Sequence, residues 1–295
     1  MTIPSETPVR PVIRAWKSRP TVEGAGVRLR RAFGFHELPA LDPFLLLDDF
    51  RSENPADYRA GFPWHPHRGI ETITYVLDGE VEHGDSLGNR GLISSGDVQW
   101  MTAGGGIIHQ EMPRGDRRGR MFGFQLWSNL PARDKMREPR YQEVKAGRIP
   151  LVRTAGGAAV RVIAGEESGV RGPVQDIASD PTFLDVSLPA GGRFERRTPA
   201  DHTVFAYVFE GEGMFHSGSD EVSGDGTLLL YGPGGFLEVR AERRPVRFLL
   251  VSGRPLREPV AWHGPIVMNT REELEAAFRE LREGTFVRGG GRRDV

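Results

Sequence analysis

His65 and His67 lie two residues apart, and further along the chain His109 and Glu111 repeat that spacing. Side chains alternate across a strand with period two, so each pair points to one face. Two adjacent strands carrying these pairs would aim three imidazoles and a carboxylate at one point. Such a donor set suits a first-row transition metal and leaves positions for exogenous ligands. Glu71 is the rival carboxylate, because it follows His67 at i+4 and shares its strand parity. Glu111 is preferred because its spacing to His109 copies the first pair. A lone strand histidine is more often structural, and only the repeated spacing lifts this set above that reading. His83 follows a turn and reads as solvent-facing or supportive. His36, His202, His216 and His263 have no matching partners and read as structural or exposed. Gly104-Gly105-Gly106 is no phosphate loop, since no Lys-Ser/Thr follows; glycine here lets backbone pass close to the site. No serine sits in a nucleophile-elbow context.

The elements that must position these residues read as short antiparallel strands. Phe44-Leu45-Leu46-Leu47 is apolar and ends in Asp48-Asp49. Glu71 to Leu77 is β-branched and aromatic, and Asp78-Gly79 after it is a tight-turn signal. Turns at Gly88-Asn89-Arg90-Gly91 and Ser95-Gly96-Asp97 flank Leu92-Ile93, then Val98 to Met101 and Met121 to Trp127 follow as strands. This spacing suits antiparallel sandwiches or barrels. Tyr75-Val76-Leu77-Asp78-Gly79-Glu80 is echoed by Tyr207-Val208-Phe209-Glu210-Gly211-Glu212, and Phe122 to Leu126 by Val246 to Leu250. Two related β-domains are therefore expected, residues 1–135 and 136–295, joined through the proline-punctuated stretch around Pro131, Pro139 and Pro150. The second copy has Arg197 and Pro199 where the first has His65 and His67, so one metal per chain is expected, in the first half. A helix over 271–283 follows from the capping box Thr270/Glu273, the apolar face Leu274, Phe278 and Leu281, and Gly284 past its end.

The 295 residues include 38 Gly and 22 Pro, which favours strands and turns over long helices. The formal charge of −1 gives no global field for nucleic acid or an anionic membrane. Arg114, Arg117, Arg118 and Arg120 form a local basic run offset by Asp116, as a solvated loop does. Cysteine is absent, which excludes disulfides, thiolate-ligated metal, iron–sulfur clusters and thiol nucleophiles. Met1 to Glu6 lacks a secretory pattern, and no apolar run approaches the roughly 20 residues of a bilayer span. A cytoplasmic protein, monomeric by default, is expected, and the tail Arg288-Gly289-Gly290-Gly291-Arg292-Arg293 reads as a disordered end.

At its histidine segments the chain resembles the pirin family of the cupin superfamily. His65-Pro66-His67-Arg68-Gly69-Ile70-Glu71-Thr72 is similar to that family's first signature. Gly96 to Pro113 resembles its second almost throughout, and Phe124 to Pro131 and Glu138 to Gln142 also fit. The resemblance covers roughly residues 10 to 287. It implies an all-β bicupin with metal in the N-terminal barrel, held by His65, His67, His109 and Glu111. Iron(II) is the metal implied, with Mn, Ni, Cu or Zn as alternatives. Departures are Ile70 for Phe, Gln110 for Ser or Ala, and Gly105 for Arg, the last removing a cation expected near the site mouth. The activity implied is of the quercetin 2,3-dioxygenase type, opening a flavonol ring with O2, with Glu111 as general base. The competing implication is an iron-dependent interaction protein, a transcriptional co-regulator or binder of a metabolic enzyme, without turnover. A cavity of about 300 Å³ or more beside the metal separates the two.

Overall fold

The computed structural model describes residues 8–38, 40–216 and 218–288. The tail expected to be disordered lies, from residue 289 on, outside them. Twelve strands come first: β1 (Val12–Lys17), β2 (Arg19–Glu23), β3 (Val27–Phe33), β4 (Phe44–Asp49), β5 (Phe62–His67), β6 (Ile70–Asp78), β7 (Glu80–Asp85), β8 (Arg90–Ser94), β9 (Val98–Thr102), β10 (Ile107–Arg114), β11 (Phe122–Asn129) and β12 (Arg140–Val144). Thirteen shorter or later strands follow, and the chain closes on helix α1 (Arg271–Glu283).

Two compact units interleave along the sequence. One comprises Met1–Ser18, Pro39–Asp42 and Gly147–Pro255; the other comprises Arg19–Leu38, Pro43–Ala146 and Leu256–Val295. Between the two units the chain crosses at 146–147, and its last segment is grouped with the histidine-bearing unit. The stretch expected to be a linker contributes a strand: β12 pairs antiparallel with β9, Arg140 opposite Thr102 and Val144 opposite Val98.

In the histidine-bearing unit the sheets run β12-β9-β6-β11-β4-β3-β2 and β5-β10-β7-β8. β6 is central in the larger sheet and buried from Ile70 to Val76. β10 in the smaller sheet instead alternates, with Ile107, His109, Glu111 and Pro113 buried and the residues between them less so. β5 is the edge of that sheet, which is where Pro63 and Pro66 belong, since proline cannot donate to a ladder. Asp48 and Asp49 close β4 as expected, and both are buried. Arg31 donates to both oxygens of Asp48 at 2.8 Å, and Arg51 donates to Asp49, so paired charge accompanies the burial of both carboxylates.

The other unit is built on a ten-stranded sheet whose main path joins β1 to strands 227–231, 203–214, 246–253, 182–188, 159–164 and 151–153. Its interior is filled by apolar side chains, among them Val160, Leu184, Phe194, Val204 and Phe248. The internal repeat falls on central strand pairs of both units: Tyr75 of β6 lies opposite Phe124, and Tyr207 lies opposite Leu249.

Helix α1 has the expected bounds, with Thr270 and Glu273 closing a capping box and Gly284 left-handed at φ 72°. Ala277 is buried with Ile266, Met268 and Phe286, and Leu274, Phe278 and Leu281 pack against them. Its role is structural, within the histidine-bearing unit. Lys135 anchors the same unit: its buried ammonium donates to Gly69 O (2.9 Å), Asn129 Oδ1 (2.7 Å) and Val267 O (2.9 Å), one acceptor for each proton. Burial pushes its pKa down to about 7, but three acceptors favour the charged form. Lys135→Met would take the ammonium from Asn129 Oδ1 and Val267 O and leave Gly69 O only the Leu130 N–H at 3.2 Å, at a cost of about 3 kcal/mol. Calorimetry should show a melting midpoint roughly 6 °C lower or more; a midpoint within a degree of wild type would show that the ammonium is dispensable.

Candidate metal centre

β5 and β10 are antiparallel neighbours with His65 directly opposite His109 and His67 opposite Ile107. The three histidines thus share one face of two adjacent strands, as their spacing implied. Beyond His109 the register slips, so that Glu111 faces Phe62 rather than Pro63. Pro63 has no N–H to offer the ladder, and the irregularity falls where that donor is missing. One ligating atom from each of His65, His67 and His109 lies within 4.8 Å of the others, and this is the one such group found among the described residues.

Backbone carbonyls orient two of the rings. His65 Nδ1 lies 2.9 Å from Pro63 O, and His67 Nδ1 lies 3.1 Å from Pro265 O. A carbonyl only accepts, so both Nδ1 atoms carry hydrogen and both neutral rings present an Nε2 lone pair. Those Nε2 atoms face each other at 3.1 Å. His109 is 1% exposed and neither of its ring nitrogens has a hydrogen-bond partner. Burial lowers the pKa of His65, and drives those of His67 and His109 well below the usual histidine range with help from neighbouring imidazoles. Protons are therefore disfavoured where three lone pairs meet. A divalent cation answers both the repulsion and the orphaned His109, and the residues present fit one.

Glu111 stands beside this group rather than in it. Its Oε1 accepts from Thr74 Oγ1 and its Oε2 from Gln125 Nε2, each at 2.9 Å. Burial raises its pKa to about 7 against these two donors. It lines the same cavity as His65 and His67. Glu71 does not: it is buried in β6 and accepts from Thr102 Oγ1 at 2.8 Å. Counting parity from His67 to Glu71 fails because Gly69, at φ 79°, lets the chain leave one sheet for the other. A Cβ on Gly69 would sit 1.9 Å from Val267 O, so no other residue fits that turn.

Of the two readings of His83, solvent-facing or supportive, its burial favours the second: Nε2 lies 2.7 Å from Gln99 Nε2 and 3.0 Å from Glu143 Oε1, and β7 places it opposite Glu111. His263, read as unpartnered, lines the cavity. Gly105 does not bear on the site mouth. Its N–H donates to Arg137 O at 2.8 Å, away from the cavity-lining residues, and Gly104 and Gly106 allow close approach to Arg137 and Phe286 rather than to the histidines.

The cavity beside the histidines measures about 770 Å³. Trp127 packs edge-on against His67 at 5.0 Å between ring centroids and leads to Trp262 at 6.1 Å and then Phe35. Sequence reasoning missed Thr74, Gln125, Pro265 and Trp262. Thr74 and Gln125 are adjacent in register on β6 and β11, which strand parity could have suggested. Nothing local points to Pro265, which lies far along the chain from His67.

Comparison with known proteins agrees with this architecture. Residues 26–128 match the Pirin family model, and residues 183–287 match that of the Pirin C-terminal cupin domain. A "Pirin-like protein" of Caulobacter vibrioides is 48% identical over 95% of this chain and 100% of its own length. A Pseudomonas aeruginosa protein with the provisional name quercetin 2,3-dioxygenase is 45% identical over 95% of this chain and 99% of its own. The crystal structure of quercetin 2,3-dioxygenase from Acinetobacter baumannii superposes with a TM-score of 0.87 at 33% identity, covering 95% of this chain and 99% of that one.

Were Glu111 a ligand, metal uptake should depend on pH. The raised pKa of Glu111 means that the metal-free fold holds a proton there between about pH 4.5 and 7, so its contribution to stability is present at low pH and lost as pH rises through about 7. If Glu111 ligates, a cation must displace that proton, whereas burial already disfavours protons on the histidines. Metal affinity should then rise about tenfold per pH unit below 7 and level off above it. Glu111→Gln should flatten the profile in a competition titration; a flat wild-type profile would remove Glu111 from the ligand set.

Proposed function

Because the chain belongs to the pirin family, with its two cupin domains, we propose that it is a metal-dependent dioxygenase of the quercetin 2,3-dioxygenase type. The substrate would be a flavonol-like aromatic chelate together with O2. The observation that carries this reading is the 770 Å³ cavity opening onto His65, His67 and Glu111. A protein that only reported the state of its metal would need no such space, and the volume lies well within the range of small-molecule sites. The names of the Pseudomonas and Acinetobacter proteins support the same activity.

His65, His67 and His109 would hold the metal, Glu111 completing the set, with iron(II) the proposed ion and Mn, Ni, Cu or Zn the alternatives. Bound there, such a metal supplies Lewis acidity toward a chelating substrate and a path for electrons to O2. The chain's residues do the rest. Trp127 and Trp262 flank the planar rings and exclude water. Glu111, a carboxylate lining the cavity beside the histidines, is placed to take the proton of a flavonol hydroxyl. Thr74 and Gln125 hold that carboxylate in place through one hydrogen bond to each oxygen.

Anaerobic loading with iron(II), followed by oxygen uptake with quercetin and metal analysis of the same sample, tests the reading. Uptake should scale with bound iron. His67→Ala should lose metal and turnover together, and Glu111→Gln should lower kcat by about 10² to 10⁴. Stoichiometric iron without flavonol-dependent uptake would instead favour an iron-dependent interaction protein.

A further inference from the structure

Thr74, Gln125, Asp48 and Arg31 lie directly opposite one another on β6, β11, β4 and β3. Directly opposed residues share a sheet face. They therefore form one polar row, which starts at the hydrogen bonds to Glu111 and ends at Arg31. Gln125, Asp48 and Arg31 all line the cavity, as does Glu23 of β2. At the far end Arg31 is held from two sides: Asp48 takes Nε and Nη2 at 2.8 Å, and Glu23 takes Nη1 at 2.8 Å. Two carboxylates and one guanidinium leave this end with one net negative charge. The side walls are aromatic, including Phe62, Trp127 and Trp262.

A cavity lined this way discriminates along its length. Arg31 lies two strand spacings from Gln125, about 10 Å. That is the reach of a fused bicyclic ring carrying a further aryl ring. We infer that Glu23, Arg31 and Asp48 form a distal subsite that recognises hydroxyl groups on the far ring of an aromatic substrate whose other end faces the histidines. Phenolic hydroxyls donate to Glu23 and Asp48, whose remaining lone pairs only accept, while the net negative charge repels a ligand carboxylate. The inference rests on the dioxygenase reading and narrows its substrate to aryl-hydroxylated flavonols. Gly24 keeps Glu23 at the rim: at φ 55° a Cβ there would lie 2.6 Å from Gly61 O and from the Phe62 ring.

The test compares quercetin, which carries two hydroxyls on its far ring, with 3-hydroxyflavone, which carries none. Dissociation constants are measured anaerobically on metal-loaded protein by quenching of tryptophan fluorescence. Quercetin should bind at least about tenfold tighter, as expected for hydrogen bonds to charged acceptors. That ratio should fall toward one in Glu23→Gln, a partly exposed position that the fold tolerates, and in the charge-neutral pair Arg31→Gln/Asp48→Asn. A wild-type ratio near one, or a ratio unchanged in both variants, overturns the distal subsite while leaving the flavonol reading intact. If neither flavonol binds, the flavonol reading itself falls and the subsite falls with it.

Discussion

Three imidazole lone pairs converge in a place too dry to keep a proton, and the rest of the histidine-bearing unit depends on that constraint. The carbonyls of Pro63 and Pro265 fix two tautomers so that Nε2 faces Nε2 at 3.1 Å. In water such rings would turn away or protonate. Here burial penalises the imidazolium, and the strand pairing of His65 with His109 leaves the rings nowhere to go. The arrangement is unfavourable without a cation and favourable with one, which is how a fold stores affinity for metal.

That stored affinity requires a rigid frame, and the frame uses proline and glycine at positions where they are suited. Pro63 and Pro66 sit on an edge strand, where a missing donor costs little. Gly69 makes the one turn that carries the chain from the histidine strand into the central strand of the larger sheet. Lys135 ties that turn to Asn129 and to Val267, two residues past the carbonyl that orients His67. Arg68, stacked on Phe286 and paired with Glu280, binds α1 to the same corner. The chain's last segment is therefore part of the metal centre's support.

The two units show what separates a scaffold from a site. Both place the repeated motif on paired central strands, but one fills its interior with Val, Leu and Phe while the other keeps a polar row beside a cavity. Burying Thr74, Asp48 and Glu111 and half-burying Gln125 costs desolvation, which their mutual hydrogen bonds and the Arg31 ion pair offset. In the proposed reading that cost has a functional counterpart, since a cavity with aromatic walls and polar ends would orient a planar ligand lengthwise.

By itself the sequence determined the strand character, the helix and its cap, the duplication and the three histidines, because each rests on local periodicity or on spacing along one strand. It also raised Glu111 above Glu71, but it could not decide between them, since parity holds only while a strand continues and Gly69 ends one. It placed the end of β4 at Asp48-Asp49 and left His83 between a solvent-facing and a supportive role, but the burial of both was not legible, because it depends on partners on other strands: Arg31 for Asp48, Gln99 and Glu143 for His83. The interleaved units, the carbonyl of Pro265 behind His67 and the polar row from Glu111 to Arg31 were decided only by tertiary structure. Each is a juxtaposition across strands or across nearly the whole chain, and no local pattern encodes which strands become neighbours.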